Sequence, residues 1–211
     1  MRKCIYLMRH GESEYNLRKI VQGHIDTNLT EKGILQAKHA GELLKPYRIE
    51  KIVSSDLKRA HQTALTIGEV LQVSVVLDRR IREMYFGTWE GLSYEHIYRN
   101  HLQDFHNWLS NPVKYPLPKQ EEILSFERRL NSFLMDIHKY EEENILVVGH
   151  GGSIQGLICI VMKLGMENLW KFKHDNSGIS LIESFNKNLS VRFINMSFHL
   201  EKIRDDSIVI L

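Results

Sequence analysis

Two histidines, two arginines and a glutamate stand where their chemistry suits a phosphate ester. His10 follows Arg9 at the end of the apolar run Cys4-Ile5-Tyr6-Leu7, inside Met8-Arg9-His10-Gly11-Glu12-Ser13. A guanidinium can grip phosphate oxygens with two parallel N–H groups, and a neighbouring imidazole can attack or exchange a proton. His150 repeats the arrangement after a second apolar run, Ile145-Leu146-Val147-Val148, and is followed by Gly151-Gly152-Ser153. Arg59 falls in the first turn of an expected helix after Ile52-Val53-Ser54-Ser55-Asp56, beside free backbone N–H groups and the positive end of the helix dipole. Ser55 or Asp56 is the expected N-cap of that helix. Glu83 lies in the glycine- and aromatic-rich stretch Ile81–Gly91 and carries a carboxyl that can supply a proton. Each feature alone has a plainer reading: a solvated turn, an exposed arginine, a structural histidine. Two histidines and two arginines at matching strand ends are harder to explain that way.

The elements that must position these residues follow from hydrophobic periodicity. Short continuous apolar runs near 5, 52, 75, 145 and 180 read as strands buried on both faces, and ligands gather beyond such strand ends in open α/β sheets. Gly11 is expected to let the chain turn sharply after the first strand. Helix faces are marked by Ile34, Ala37, Gly41 and Leu44 after Thr30, and by Ala60, Ala64, Ile67 and Leu71. Ile123, Phe126, Leu130, Phe133, Leu134 and Ile137 mark a third face, and Ile154, Leu157, Ile158 and Val161 a fourth. The alternation implies an α/β three-layer sandwich with a largely parallel central sheet flanked by helices, its last pair, Ile179–Glu183 and Val191–Asn195, forming an antiparallel edge. Residues 1–211 read as one domain. The stretch from about 92 to 118, rich in aromatic residues and holding three of the four prolines, reads as a helical lid insertion packed on the body.

In order along the chain, Arg9-His10-Gly11-Glu12-Ser13 with Asn16, Gln22-Gly23 before Leu29-Thr30-Glu31-Lys32-Gly33, the Ser54–Arg59 run, Glu83 with Gly87–Gly91, and His150-Gly151-Gly152 resemble the histidine phosphatase superfamily, the phosphoglycerate-mutase-like proteins, over nearly the whole length. The resemblance implies that His10 is the nucleophile and becomes phosphohistidine, that Glu83 is the proton donor, and that Arg9, Arg59 and His150 clamp the phosphate. Asn16, Gln22, Gly23 and the Gly151 amide are the implied substrate-binding positions. The chemistry agrees. A neutral imidazole attacks through one nitrogen when its other N–H is held by a backbone carbonyl. Two guanidinium forks and a cationic His150 can stabilise equatorial phosphate charge with no metal and no cofactor. Glu83 is expected to need an upward pKa shift, from burial and the phosphate dianion, to protonate the leaving alkoxide and then activate water.

The chain also departs from the family pattern. Where many relatives carry Gly-Gly-Glu-Ser, it reads Lys119-Gln120-Glu121-Glu122, keeping only Glu121 and altering a loop near the pocket mouth. Metal-independent phosphoserine phosphatases and alpha-ribazole phosphatases are the similar branches, yet Phe86 stands where the former carry histidine. The expected function is a metal-independent phosphomonoesterase acting on a small phosphorylated metabolite. Phosphoglycerate mutase is the alternative, though mutases of the family are longer. A noncatalytic phospho-ligand-binding protein is disfavoured by the full catalytic set. His174–Ser177 and the tail Phe198–Lys202 are expected to approach the pocket.

Composition sets further bounds. With 43% hydrophobic and 26% charged residues and a net charge of +2, the chain is ordinary for a globular enzyme and offers no case for nucleic acid as partner. Its densest basic cluster, Arg79-Arg80-Arg82, reads as a solvated turn or a greeting for an acidic substrate. Cys4 and Cys159 read as buried free thiols of a reducing compartment, and with no signal peptide or membrane-length apolar run the expected location is cytoplasmic. His96, His101 and His106, five apart, would diverge by about 140° on one helix and cannot share a metal. A homodimer is compatible with the resemblance.

Overall fold

Tyr6 and Met8 face one side of the central strand, and Ile5 and Leu7 the other, each packing into a separate core. That alternation sets the architecture, because a strand buried on both faces needs a helical layer on each. The computed structural model describes residues 2–186 and 188–203; Met1, Lys187 and residues 204–211, the end of the expected 1–211 domain, lie outside the described residues. Six strands form one sheet: β1 (Arg2–Arg9), β2 (Lys51–Ser54), β3 (Val75–Leu77), β4 (Asn144–Gly149), β5 (Ile179–Phe185) and β6 (Asn188–Met196), in the order β3-β2-β4-β1-β5-β6. The pairs β3·β2, β2·β4 and β4·β1 are parallel; β5 runs antiparallel to β1, and β6 antiparallel to β5.

Helices α2 (Glu31–Leu44) and α3 (Lys58–Leu71) cover one face, burying Ala37, Ala40 and Leu44 beside Ala60, Ala64 and Ile67. The other face receives α6 (Ile123–Ile137) and α7 (Gly151–Met162), with all six expected α6 residues buried. A short α1 (Glu14–Leu17) precedes these, and α4 (Tyr94–Asn100) and α5 (Leu102–Ser110) form the inserted lid. The fold is the expected α/β three-layer sandwich.

Several local expectations need correction. Ile34 is 40% exposed, because Gly33 and Gln36 take the inward positions at that end of α2. Leu71 and Val161 are only half-buried. Asp56 and Ser55 do not cap α3: its N-cap position is Leu57, and Asp56 instead accepts from Arg79 and Arg82 at 2.6–3.0 Å. Gly11 is not needed for a left-handed turn; a side chain there would run into the Gly33 backbone, so its role is to let the start of α2 pass close by. The chain breaks at His101, which ends α4 and caps α5, so His96, His101 and His106 never share one helix. Cys159 is buried and Cys4 half-buried, both free. Among the described residues no helix is long and apolar enough to cross a membrane.

Candidate active site

Register places the chemistry. Arg9 pairs with Gly149 across the parallel β1·β4 ladder, so the next residues, His10 and His150, leave adjacent strand ends with ring centroids 5.2 Å apart. The ladder continues one step past the strands, with His10 N donating to Gly149 O at 3.0 Å and Ser55 N to Val148 O at 3.0 Å. Arg59 then comes from the first turn of α3 beyond β2, and the chain after a short 3-10 turn at Arg79–Ile81 brings in Glu83. Eight of the nine expected site residues, Arg9, His10, Asn16, Gln22, Gly23, Arg59, Glu83 and Gly151, line one cavity of about 350 Å3. The ninth, His150, is fully buried behind His10.

His10 is held in one tautomer. Its Nδ1 lies 2.7 Å from Gly11 O, which can only accept, so Nδ1 carries the hydrogen. Its Nε2 accepts from Arg59 Nε at 3.3 Å, which leaves the lone pair there. Burial, with Arg59 and Arg9 close by, holds the ring well below the ordinary histidine pKa and keeps it neutral. Arg59 is itself 1% exposed and is anchored by carbonyls rather than carboxylates, through Nη2 to Gly23 O at 2.7 Å and Nη1 to Ile25 O at 3.0 Å. Burial lowers its pKa to about 10, while the nearby Glu83, Asp26 and Glu90 carboxylates favour its charge without bonding to it directly. Arg9 donates through Nη1 to His174 O at 2.6 Å, while its buried Nε has no protein partner.

His150 departs from expectation. Desolvation first, then Arg59 and the other neighbouring groups, hold it well below the ordinary histidine pKa, so in this pocket it is neutral rather than cationic. Its Nε2 lies 2.9 Å from Ser55 Oγ, and its buried Nδ1 has no partner. Ser55, expected as a helix cap, thus orients a site histidine.

Glu83 is gripped from several directions. Its carboxylate accepts from Met84 N at 2.8 Å and from Gly152 N, in the first turn of α7, at 3.0 Å. A side chain at Gly152 would collide with that carboxylate, which explains the second glycine of the His150-Gly151-Gly152 run. Arg129 of α6 uses all five N–H donors nearby: Nη1 to Arg80 O and Arg82 O at 2.6 and 2.8 Å, Nη2 to Glu83 O at 2.9 Å, and Nε and Nη2 to both Glu121 oxygens at 2.7 and 2.9 Å. This gives the retained Glu121 its role: it orients the guanidinium that holds the Glu83 loop. Gly23 has φ +53°, and a side chain there would strike the Glu90 carboxylate, which accepts from His24 N and Phe86 N at 2.9 and 3.0 Å.

The remaining expected residues divide. Asn16 Oδ1 accepts from Ser13 N at 3.1 Å and from Asn176 Nδ2 at 3.2 Å, and Gln22 Oε1 accepts from Ser13 and Thr27 hydroxyls at 2.8 and 2.7 Å. The 174–177 stretch does approach: His174 lines the cavity, Asn176 Nδ2 donates to His10 O at 3.0 Å, and His199 Nε2 lies 3.1 Å from Ser177 O. The basic cluster does not face the cavity; Arg79 and Arg82 pair with Asp56, and Arg80 with Asp78 and Asp136. Gln155, Tyr94, Trp170 and Phe172 line the cavity without having been singled out as site residues. Gln155 had a readable signal, since it lies one helical turn beyond Gly151 on α7. Trp170 and Phe172 had none, because they arrive from a segment distant in sequence. Among the described residues no group of three or more His, Cys, Asp or Glu side chains is placed to hold a metal ion.

A neutral, tautomer-fixed imidazole facing two guanidinium groups and a carboxyl at a strand-end crevice defines a phosphoryl-transfer enzyme that uses histidine. The chain belongs to the histidine phosphatase superfamily (branch 1), whose family model matches residues 5–197. It is 42% identical over 202 residues, 95% of this chain and 99% of the relative, to the "Putative phosphoserine phosphatase 2" of Hydrogenobacter thermophilus. It is 30% identical to the adenosylcobalamin/alpha-ribazole phosphatase of Salmonella typhimurium, over 86% of this chain and 92% of that protein. Among solved structures it resembles a mycobacterial glucosyl-3-phosphoglycerate phosphatase, with TM-score 0.84 and 26% identity over 93% of this chain and 100% of that one. The protein is a phosphoric monoester hydrolase of this superfamily.

Proposed function

We propose that His10 Nε2 attacks the phosphorus of a small phosphorylated metabolite, releasing the alcohol and leaving phosphohistidine, and that water then returns the enzyme to its starting state. The observation that carries this reading is the bond between His10 Nδ1 and Gly11 O, which directs the lone pair of a neutral ring at the phosphate side of the cavity. As the P–O bond breaks, Glu83 gives its proton to the leaving oxygen; the resulting carboxylate takes a proton from the water that attacks phosphorus. Charge on the equatorial oxygens falls to the half-buried Arg9 and the buried Arg59, both held by carbonyls, with the Gly151 amide, Asn16 and Gln22 as further polar groups. His150 enters neutral, and a dianion beside its unpartnered Nδ1 raises its proton affinity.

Positive charge from these side chains supports metal-independent catalysis, and the two free thiols suit the cytoplasm. In this reading the partner is the metabolite alone, with neither nucleic acid nor membrane, and a homodimer is allowed. The test is phosphate release with EDTA present from a panel of phosphorylated amino acids, nucleosides, sugars and glycerates, with rapid acid quench to trap an acid-labile phosphoenzyme. A phosphoenzyme that forms on the parent and not on His10→Ala supports the assignment. Interconversion of phosphoglycerates without net phosphate release would replace it with the mutase.

A further inference from the structure

We infer that the alcohol part of the substrate is a flat, uncharged ring system rather than an amino acid, a claim that rests on this cavity holding the phosphate ester. The cavity has two unlike halves. Its charged groups gather at the strand ends, whereas much of the remaining lining is an aromatic wall of Phe86, Phe105, Trp108, Trp170 and Phe172. Three of these make a rigid cluster: the Trp108 and Trp170 centroids lie 4.5 Å apart, and the Phe86 ring stands edge-on to Trp108 at 5.6 Å and 88°. They come from three separate places, the Glu83 loop, the lid and the segment after α7, so the wall is an assembled surface rather than one helix face.

An amino-acid substrate needs a carboxylate for its ammonium and a cation for its carboxylate. Among the described residues that line the cavity Glu83 is the only carboxylate, and its oxygens already accept from Met84 N and Gly152 N. Among the same described residues the only lysine is Lys173, which is exposed, and the two arginines are Arg9 and Arg59 at the phosphate end. An ammonium on the aromatic side would thus be desolvated without a counter-charge. A planar ring instead stacks on Trp108 and Trp170 and loses no ionic hydration. The same wall carries Trp170 Nε1 and Gln155 Oε1, both buried without a protein partner, so a ring with a polar edge atom meets a donor and an acceptor after small adjustments. A cavity of about 350 Å3 is at the compact end of small-molecule sites and suits a phosphate with a modest ring system.

The test uses four esters of primary alcohols, benzyl phosphate, n-propyl phosphate, phosphoserine and phosphocholine, so that leaving-group differences stay small. We expect kcat/KM for benzyl phosphate to exceed those for n-propyl phosphate and phosphoserine by about 10-fold or more. Trp170→Leu should reduce the benzyl to n-propyl ratio to about twofold or less. In parallel, calorimetry on the parent enzyme compares benzylphosphonate with n-propylphosphonate, with about 10-fold tighter binding of the former expected. Equal phosphonate affinities, or phosphoserine turned over as well as benzyl phosphate, overturn the inference. Preference for phosphocholine overturns it too, by making the wall a cage for a cation. If every ester is left intact while benzylphosphonate binds tighter, the catalytic reading fails and the ring preference stands.

Discussion

The floor of the cavity and its lid are built on opposite plans. The floor is the common edge of three parallel strands, and its side chains are buried, tautomer-fixed and held by backbone carbonyls or amides. The lid is two helices of seven and nine residues whose rings touch one another at 5.4–6.4 Å and whose own hydrogen bonds are largely local. The difference separates the residues proposed for phosphoryl transfer from those proposed to meet the alcohol. Phosphoryl transfer needs sub-ångström placement, which a strand register supplies. Recognition of the alcohol needs only a surface, which short helices can supply and exchange.

The sharpest way to break that comparison is at the floor. His10→Ala should lower kcat by at least about 10^4-fold on every substrate, read as phosphate release. Residual activity close to the parent's would show that the nucleophile lies elsewhere. Next comes the proposed proton donor: Glu83→Gln should cost about 10^2- to 10^4-fold on alkyl phosphates and much less on p-nitrophenyl phosphate, whose leaving group needs no proton. Arg129→Lys, which cannot reproduce five N–H bonds, should show the same leaving-group dependence at about 10- to 100-fold, and an equal loss on both ester types would reduce Arg129 to a merely structural role.

Lid and floor should also separate in stability. Phe105→Ala removes a ring that is 4% exposed and should lower stability by about 3 kcal/mol by denaturant titration. Acid should act on the floor instead. Burial takes His174 from 6.5 in the unfolded chain to about 4, so its contribution is complete above pH 6.5 and disappears as pH falls to about 4, amounting to roughly 3 kcal/mol. His10 and His150 shift in the same direction, so Tm should fall between pH 7 and pH 5, and less so in His174→Gln. The smallest effect belongs to the basic cluster: Arg79, with its side chain 82% exposed, should cost less than about 1 kcal/mol when changed to Ala.

The two regions differed as much in legibility. The sheet was readable because Ile5–Met8 and Ile145–Val148 are continuous apolar runs, and a histidine at each end needs only the register to meet its partner. Asp56 misled because its carboxylate is claimed by arginines at 79 and 82, a pairing that no helix-start rule anticipates. His150 misled because a charge that suits the transition state is expelled by desolvation in the buried site. The lid's break at His101 carries no glycine or proline, and the contacts of Trp170 with Phe86 and Trp108 span 62 or more residues, beyond any local pattern.

The base of the lid has a bearing on how such enzymes diversify. Gly87 packs against the backbone of Pro118 to Gln120 so closely that no side chain fits, Thr88 N donates to Pro118 O at 3.0 Å, and Gln120 Oε1 receives Trp108 Nε1 at 2.7 Å. The two ends of the insertion are therefore drawn together at a pinched neck, and its first residues are tied as well to Lys19–Val21. The clip joins the two ends of the stretch between residues 92 and 118 four residues downstream of Glu83, so a change of length within that stretch is separated from the proposed proton donor by a fixed backbone junction.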